Sequence, residues 1–170
     1  MSIQTGQRVA RPAPEVHIAD IVLPNQTNNY GTMFGGDVLA LMDRAAGIAA
    51  LRFCRQLVVT ASTERIDFRT PIQRGELIEA LARVIYVGRT SLIVRIHIYA
   101  EHALIGDRRL CTTGYFSMVA LDEHSRPTPV PDLLLANEEA QNEWSLGEEI
   151  RRGIDARRLV MRHSDTSAHR

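Results

Sequence analysis

Residues 24–54 read PNQTNNYGTMFGGDVLALMDRAAGIAALRFC, and the change of character inside this stretch decides how the rest of the chain is arranged. It opens as a polar loop and passes the pair Gly35-Gly36. It then runs on through Val38, Leu39, Leu41, Met42, Ala45, Ala46, Ile48, Ala49 and Leu51 with almost no polar face. A helix apolar nearly all round belongs inside a fold rather than on its surface. Asp43 therefore stands out, because helical spacing puts it on a face with Leu39, Ala40, Ala46, Gly47 and Ala50. A carboxylate taken out of water needs a partner or hydrogen bonds. Two readings stand here. Asp37, Asp43 and Arg44 mark one wet edge of the helix, or the small neighbours admit a second backbone or a ligand to a carboxylate acting as base or nucleophile.

After this helix the period changes to two. Glu15 to Leu23 is a short strand ended by Pro24, and Val58 to Phe68 is a second, stopped at Thr70-Pro71. Glu76 to Val87 sets Ile78, Ala80, Ala82, Val84 and Tyr86 against Glu79 and Arg83. Ser91 to Glu101 sets Leu92, Val94, Ile96, Ile98 and Ala100 against Arg95, His97 and Tyr99. Turns at Gly88-Arg89 and Gly106-Asp107 lead to a last strand, Arg109 to Leu121. Long alternating strands joined by tight turns form an antiparallel meander with one covered face. The expected class is α+β, a curved sheet wrapped around the central helix.

Outside this unit, residues 1–14 read as a loose, disordered tail and residues 15–132 as the domain. Residues 133–170 read as a C-terminal extension, helical in composition from Leu133 to about His163 and disordered over the last seven residues. Its apolar positions are sparse, which describes one or two appended, partly exposed helices.

The composition excludes more than it selects. Twenty basic residues, all arginine, balance twenty acidic ones, so there is no basic excess for nucleic acid. No apolar run is long enough to span a membrane, and the first residues lack the apolar centre of a signal peptide, which points to the cytoplasm. Without lysine there is no Walker A loop, Schiff base or Ser-Lys pair. Cys54 and Cys111 form no metal or redox spacing and read as reduced core thiols. The six histidines form no HExxH or Cys/His cluster, so no metal is expected, and no GxSxG elbow exists.

What remains is loop, glycine pair, helix and aspartate. A helix N-terminus offers unpaired N–H groups and a positive dipole end. Gly35 and Gly36 let a carbonyl oxygen approach that backbone, as an oxyanion site requires. Asn28 either orients water or a carbonyl with its amide or simply forms a turn. Asp43 lies roughly 10 Å along the axis from Gly36 at ~1.5 Å per residue. That is too far to serve a carbonyl at its own helix's start. Two opposed, side-by-side helices in a dimer would bring one chain's Asp43 to the other's glycines.

The pattern PxxxNxxGxxFGGxxLxxMDxxAG is carried by Pro24, Asn28, Gly31, Phe34-Gly35-Gly36, Leu39, Met42-Asp43 and Ala46-Gly47. It resembles the hot-dog-fold acyl-CoA thioesterases, and among them the short bacterial YciA-like acyl-CoA hydrolases. Asp67-Phe68 with Pro71 and Gly75, and the turn Gly88-Arg89-Thr90-Ser91, extend the likeness over residues 17–131. The resemblance implies a hot-dog fold and hydrolysis of acyl-CoA to free acid and coenzyme A without metal or cofactor. It also implies a homodimer sharing two sites, assembled as a trimer of dimers, a hexamer. By position it makes Asp43 the general base, Asn28 of the facing protomer its companion, Gly35 and Gly36 the oxyanion hole, and Gly88, Arg89, Thr90 and Ser91 a contact for coenzyme A. The alternative is a non-catalytic acyl-CoA-binding or regulatory module on the same fold, for which the N-terminal tail is too short to supply a helix-turn-helix. A dehydratase on this fold would want a histidine near the helix, and none lies between His17 and His97.

Overall fold

A computed structural model describes residues 8–167. The elements run β1 (Ala10–Arg11), β2 (Val16–Ile21), α1 (Gly35–Cys54), β3 (Leu57–Thr63), β4 (Leu77–Val87), β5 (Ser91–His102), β6 (Asp107–Leu121), β7 (Asp132–Leu133) and α2 (Glu138–Ser167). Five strands pair antiparallel in the order β2-β4-β5-β6-β3, and α1 packs against all five. The fold is therefore the expected hot-dog arrangement, a curled sheet around one helix.

Small side chains let α1 lie close to the sheet. Ala45, Ala46, Ala49 and Ala50 on the helix and Ala80, Ala82 and Ala120 on the strands are all buried. Gly114 on β6 makes room for Met42, because a Cβ there would sit 2.4 Å from its Cε. Larger groups, Phe53, Phe116, Ile96 and Ile98, fill the remaining space, each worth about 1.5–3 kcal/mol when fully buried. The helix stops where Arg55 turns left-handed, with φ 57°, and its N–H donates to Leu51 O at 2.9 Å.

Three expectations need correction. Pairing of the second long strand ends at Thr63 rather than Phe68, after a bulge between Thr60 and Ser62. On β4 a bulge between Val84 and Tyr86 breaks the alternation, so Ile85 and Tyr86 share the outer face and Tyr86 leaves the inner one. That outer face is not bare. Residues 133–137 are not helical, and one long helix, α2, lays Ile150 and Ile154 on Ile85, Ile93, Tyr86 and Tyr115, with Trp144 against the Tyr86 ring at 4.7 Å.

The flanks are tied down as well. Residues 1–7 and 168–170 of the segments expected to be disordered lie outside the described residues. Ala10-Arg11 pair parallel with Asp132-Leu133, Arg8 reaches Asp132 at 2.5 Å, and residues 164–167 continue α2. Arg95 on the outer face takes Glu15 at 3.0 Å and also pairs with Glu143 of α2.

At Gly147 the helix backbone meets the sheet so closely that a Cβ would lie 2.4 Å from Tyr86 Cβ. Overpacking costs about 1–3 kcal/mol and the helix propensity of alanine returns about 1. Gly147→Ala should lower the urea midpoint at unchanged m, for a net loss of up to about 2 kcal/mol.

Candidate functional site

The loop entering α1 is built by its own side chains. Pro24–Gln26 form a short 3₁₀ turn closed by Leu23 N donating to Gln26 Oε1 at 2.8 Å, and Phe34 N returns to Gln26 O at 2.8 Å. Within it, Asn28 Oδ1 accepts from Tyr30 N at 2.9 Å and Thr32 N at 3.3 Å, while Nδ2 donates to Thr32 Oγ1 at 2.9 Å. Gly31 closes this turn with φ +77°, a conformation that favours glycine. Asn28 is thus a turn former. It still keeps one amide hydrogen of two for a ligand.

Gly35 and Gly36 are the first residues of α1, where amides have no acceptor within the helix. A Cβ on Gly36 would meet the exposed Phe34 ring at 2.6 Å and turn it aside. Asn28 and Gly35 line one cavity of about 320 Å³ together with Val38, Phe68, Ile72 and Thr112. Through Thr70, Cys111 and Thr112 it adjoins a more polar cavity of about 470 Å³ that holds Arg65, Arg69 and His97. Burial, with Arg95 beside it, holds the His97 imidazole below its usual pKa.

Of the two readings of Asp43, the structure gives the wet edge: Asp43 and Arg44 are exposed and Asp37 is half-buried. Asp43 lies on the exposed flank of α1 with Leu39, Ala40 and Arg44, beside β3, the last strand of the sheet. Its Oδ1 accepts a hydrogen bond from Thr60 Oγ1 of that strand at 2.6 Å. Thr60 escaped the sequence reading. Its signal was faint, a hydroxyl at the same strand parity as the inward Val58.

The third expected group stands elsewhere. Ser91 is level with Val119 on β6, whereas the Asn28 cavity borders Thr112, seven residues away or roughly 23 Å at ~3.3 Å per residue. The turn at 88–91 is also engaged: Ser91 Oγ accepts from Arg151 at 3.0 Å, Gly88 O from Arg8 at 2.5 Å, and Arg89 O from Val130 N at 3.0 Å. One chain therefore unites Asn28 with Gly35 in one cavity, with Gly36 next in sequence, and that cavity's lining includes neither Asp43 nor the Gly88–Ser91 turn.

Cys54 and Cys111 are free and buried. Burial pushes Cys54 up to about 11 and raises Cys111, so neither is a thiolate at neutral pH. Among the described residues, no three His, Cys, Asp or Glu side chains gather as a metal site, and no helix is long and apolar enough to cross a membrane.

Below the cavity, the buried Glu76 carboxylate takes Arg109 through both oxygens, at 2.9 and 2.8 Å. This hydrogen bonding is the main reason the Glu76 pKa is lowered and that of Arg109 raised. The stabilisation is complete above the unfolded carboxylate value of about 4.3 and is lost as pH falls through the lower folded value. Glu76→Gln should flatten this part of the acid limb in urea titrations taken from pH 6 downwards. An unchanged slope would contradict the assignment.

The sequence profile of the thioesterase superfamily matches residues 30–105. The uncharacterized acyl-CoA thioester hydrolase YkhA of Bacillus subtilis is 38% identical over 69% of this chain and 69% of its own length. An acyl-CoA hydrolase of Staphylococcus aureus, solved with butyryl coenzyme A, coenzyme A and coenzyme A disulfide, superposes with a TM-score of 0.84 at 28% identity. The match covers 92% of this chain and 95% of that one. That enzyme has also been solved with alanine replacing an asparagine, an aspartate and a threonine. An apo-hexameric acyl-CoA thioesterase gives 0.84 at 32% identity, covering 88% and 97%.

Proposed function

Because the chain belongs to the thioesterase superfamily, we propose that it hydrolyses acyl-CoA thioesters to free acid and coenzyme A at a site shared by two protomers. The observation that carries this reading is the Thr60-bound carboxylate of Asp43, exposed beside Arg44 on a flank bordered by apolar surface. Leu39, Leu51, Leu57 and Val59 are 37–65% exposed around the free edge of β3. A single chain leaves such an edge open to pairing with another strand. A second copy related by a two-fold axis covers it and carries Asp43 toward the partner's glycine loop. In a trimer of dimers this pair is the active unit.

In that arrangement Asp43 takes a proton from water as the oxygen attacks the thioester carbonyl. The negative charge gathering on the carbonyl oxygen faces the Gly35 and Gly36 amides and the positive end of α1. The free Nδ2 hydrogen of the facing Asn28 holds the carbonyl or the water in line. As the tetrahedral intermediate collapses, the C–S bond breaks, and the proton held by Asp43 passes to the departing thiolate. Thr60 points the carboxylate at its target. No step calls for a metal or cofactor. Of the turn at 88–91, only Arg89 is exposed, so contact with coenzyme A there is assigned to its guanidinium rather than to Gly88, Thr90 or Ser91. A cytoplasmic location goes with this substrate.

Release of coenzyme A across an acyl chain-length series tests the assignment. Asp43→Ala and Asn28→Ala should each lose at least ~10²-fold in kcat, the scale of a lost general base or its companion. Thr60→Val, which removes one hydrogen bond of about 1–1.5 kcal/mol, should lose about tenfold. Tight acyl-CoA binding with no release by the native chain would favour the binding module instead.

A further inference from the structure

Glu76 and Arg109 touch none of the groups assigned to the chemistry, yet their contacts lead to Asn28. Glu76 Oε2 accepts from Gln73 N at 2.8 Å, and Arg109 donates to Pro71 O at 3.1 Å, so the pair grips the 71–76 turn on both sides of Ile72. That turn in turn grips the Asn28 loop. Met33 N donates to Ile72 O at 2.7 Å, Arg74 N donates to Gly31 O at 3.1 Å, and Thr32 bridges Gln73. Thr32, together with Tyr30 N, holds the Asn28 side chain, through its own N–H and hydroxyl.

We propose that the pair formed by buried Glu76 and half-buried Arg109 is a positioning device that sets the Asn28 amide at the site. This rests on the reading of Asn28 as a site residue. Stability alone does not call for the pair, since apolar side chains of similar volume commonly replace a buried ion pair without loss. What they cannot supply is an acceptor for Gln73 N and a donor for Pro71 O. Both hold the backbone one contact away from the Asn28 loop. A displacement of about 1 Å at a catalytic group is enough for losses near 10²-fold.

The test is a mutant cycle with butyryl-CoA as substrate, reading kcat, KM and Tm. It uses Glu76→Gln and the volume-matched double variant Glu76→Met/Arg109→Met, each alone and combined with Asn28→Ala. Expected are kcat losses of about tenfold with KM within about twofold, Tm of the double variant close to native, and changes below about twofold once Asn28 is alanine. Full turnover by the double variant overturns the proposal, as do losses that multiply with that of Asn28→Ala. Unimpaired turnover by Asn28→Ala alone removes the site assignment beneath it, which is a distinct failure.

Discussion

The structure depends on how closely α1 lies to its sheet. Alanines on the helix meet alanines on the strands, and Gly114 takes up Met42, so the curled sheet closes around one flank of the helix. The other flank is left over the edge of β3. Asp43 sits there, held by one hydroxyl from Thr60. A bulkier helix would stand off the sheet, and neither the bond to Thr60 nor the exposed apolar border would exist in this form.

Polar groups are placed accordingly. Those that hold the framework are paired inside the chain: Glu76 with Arg109 at the 71–76 turn, and Arg95 with Glu15 and with Glu143 of α2. The groups assigned to chemistry keep something unspent, namely the second amide hydrogen of Asn28, the amides opening α1, and the open side of the Asp43 carboxylate. The contrast is physical. Buried charges without partners destabilise, while a working group must retain an unsatisfied valence toward its ligand.

Much of this was legible in the sequence, because period two and the all-round apolar helix are local signals. The inner faces of β4 and β5 followed from alternation as far as Val84. The bulge after it moved Tyr86 outward, and no single-residue pattern announces a bulge. The outer cover by α2 was not foreseen: Trp144, Gly147, Ile150 and Ile154 recur at helical spacing, but one has no side chain and the residues between them are mostly polar, so the segment read as a partly exposed appendage. Asn28, Gly35 and Asp43 were visible as residue types in unusual settings. Thr60 and the Glu76–Arg109 pair were not, since each depends on neighbours distant in sequence. The Gly88–Ser91 turn was identified correctly as a turn; Gly88 O, Ser91 Oγ and Arg89 O serve Arg8, Arg151 and Val130, while the Arg89 side chain is exposed.

The exposed Asp43 makes sense if catalysis happens between chains, and that division of labour can be observed directly. Differently tagged Asp43→Ala and Asn28→Ala chains, each inactive alone, are co-expressed and the mixed assembly is isolated. In a mixed dimer one site draws Asp43 and Asn28 from the two intact halves, and the other site lacks both. The shared-site account therefore predicts about half of native turnover for isolated mixed dimers, and about a quarter for a randomly paired mixture without selection. Mixed assemblies no more active than either variant alone would contradict it.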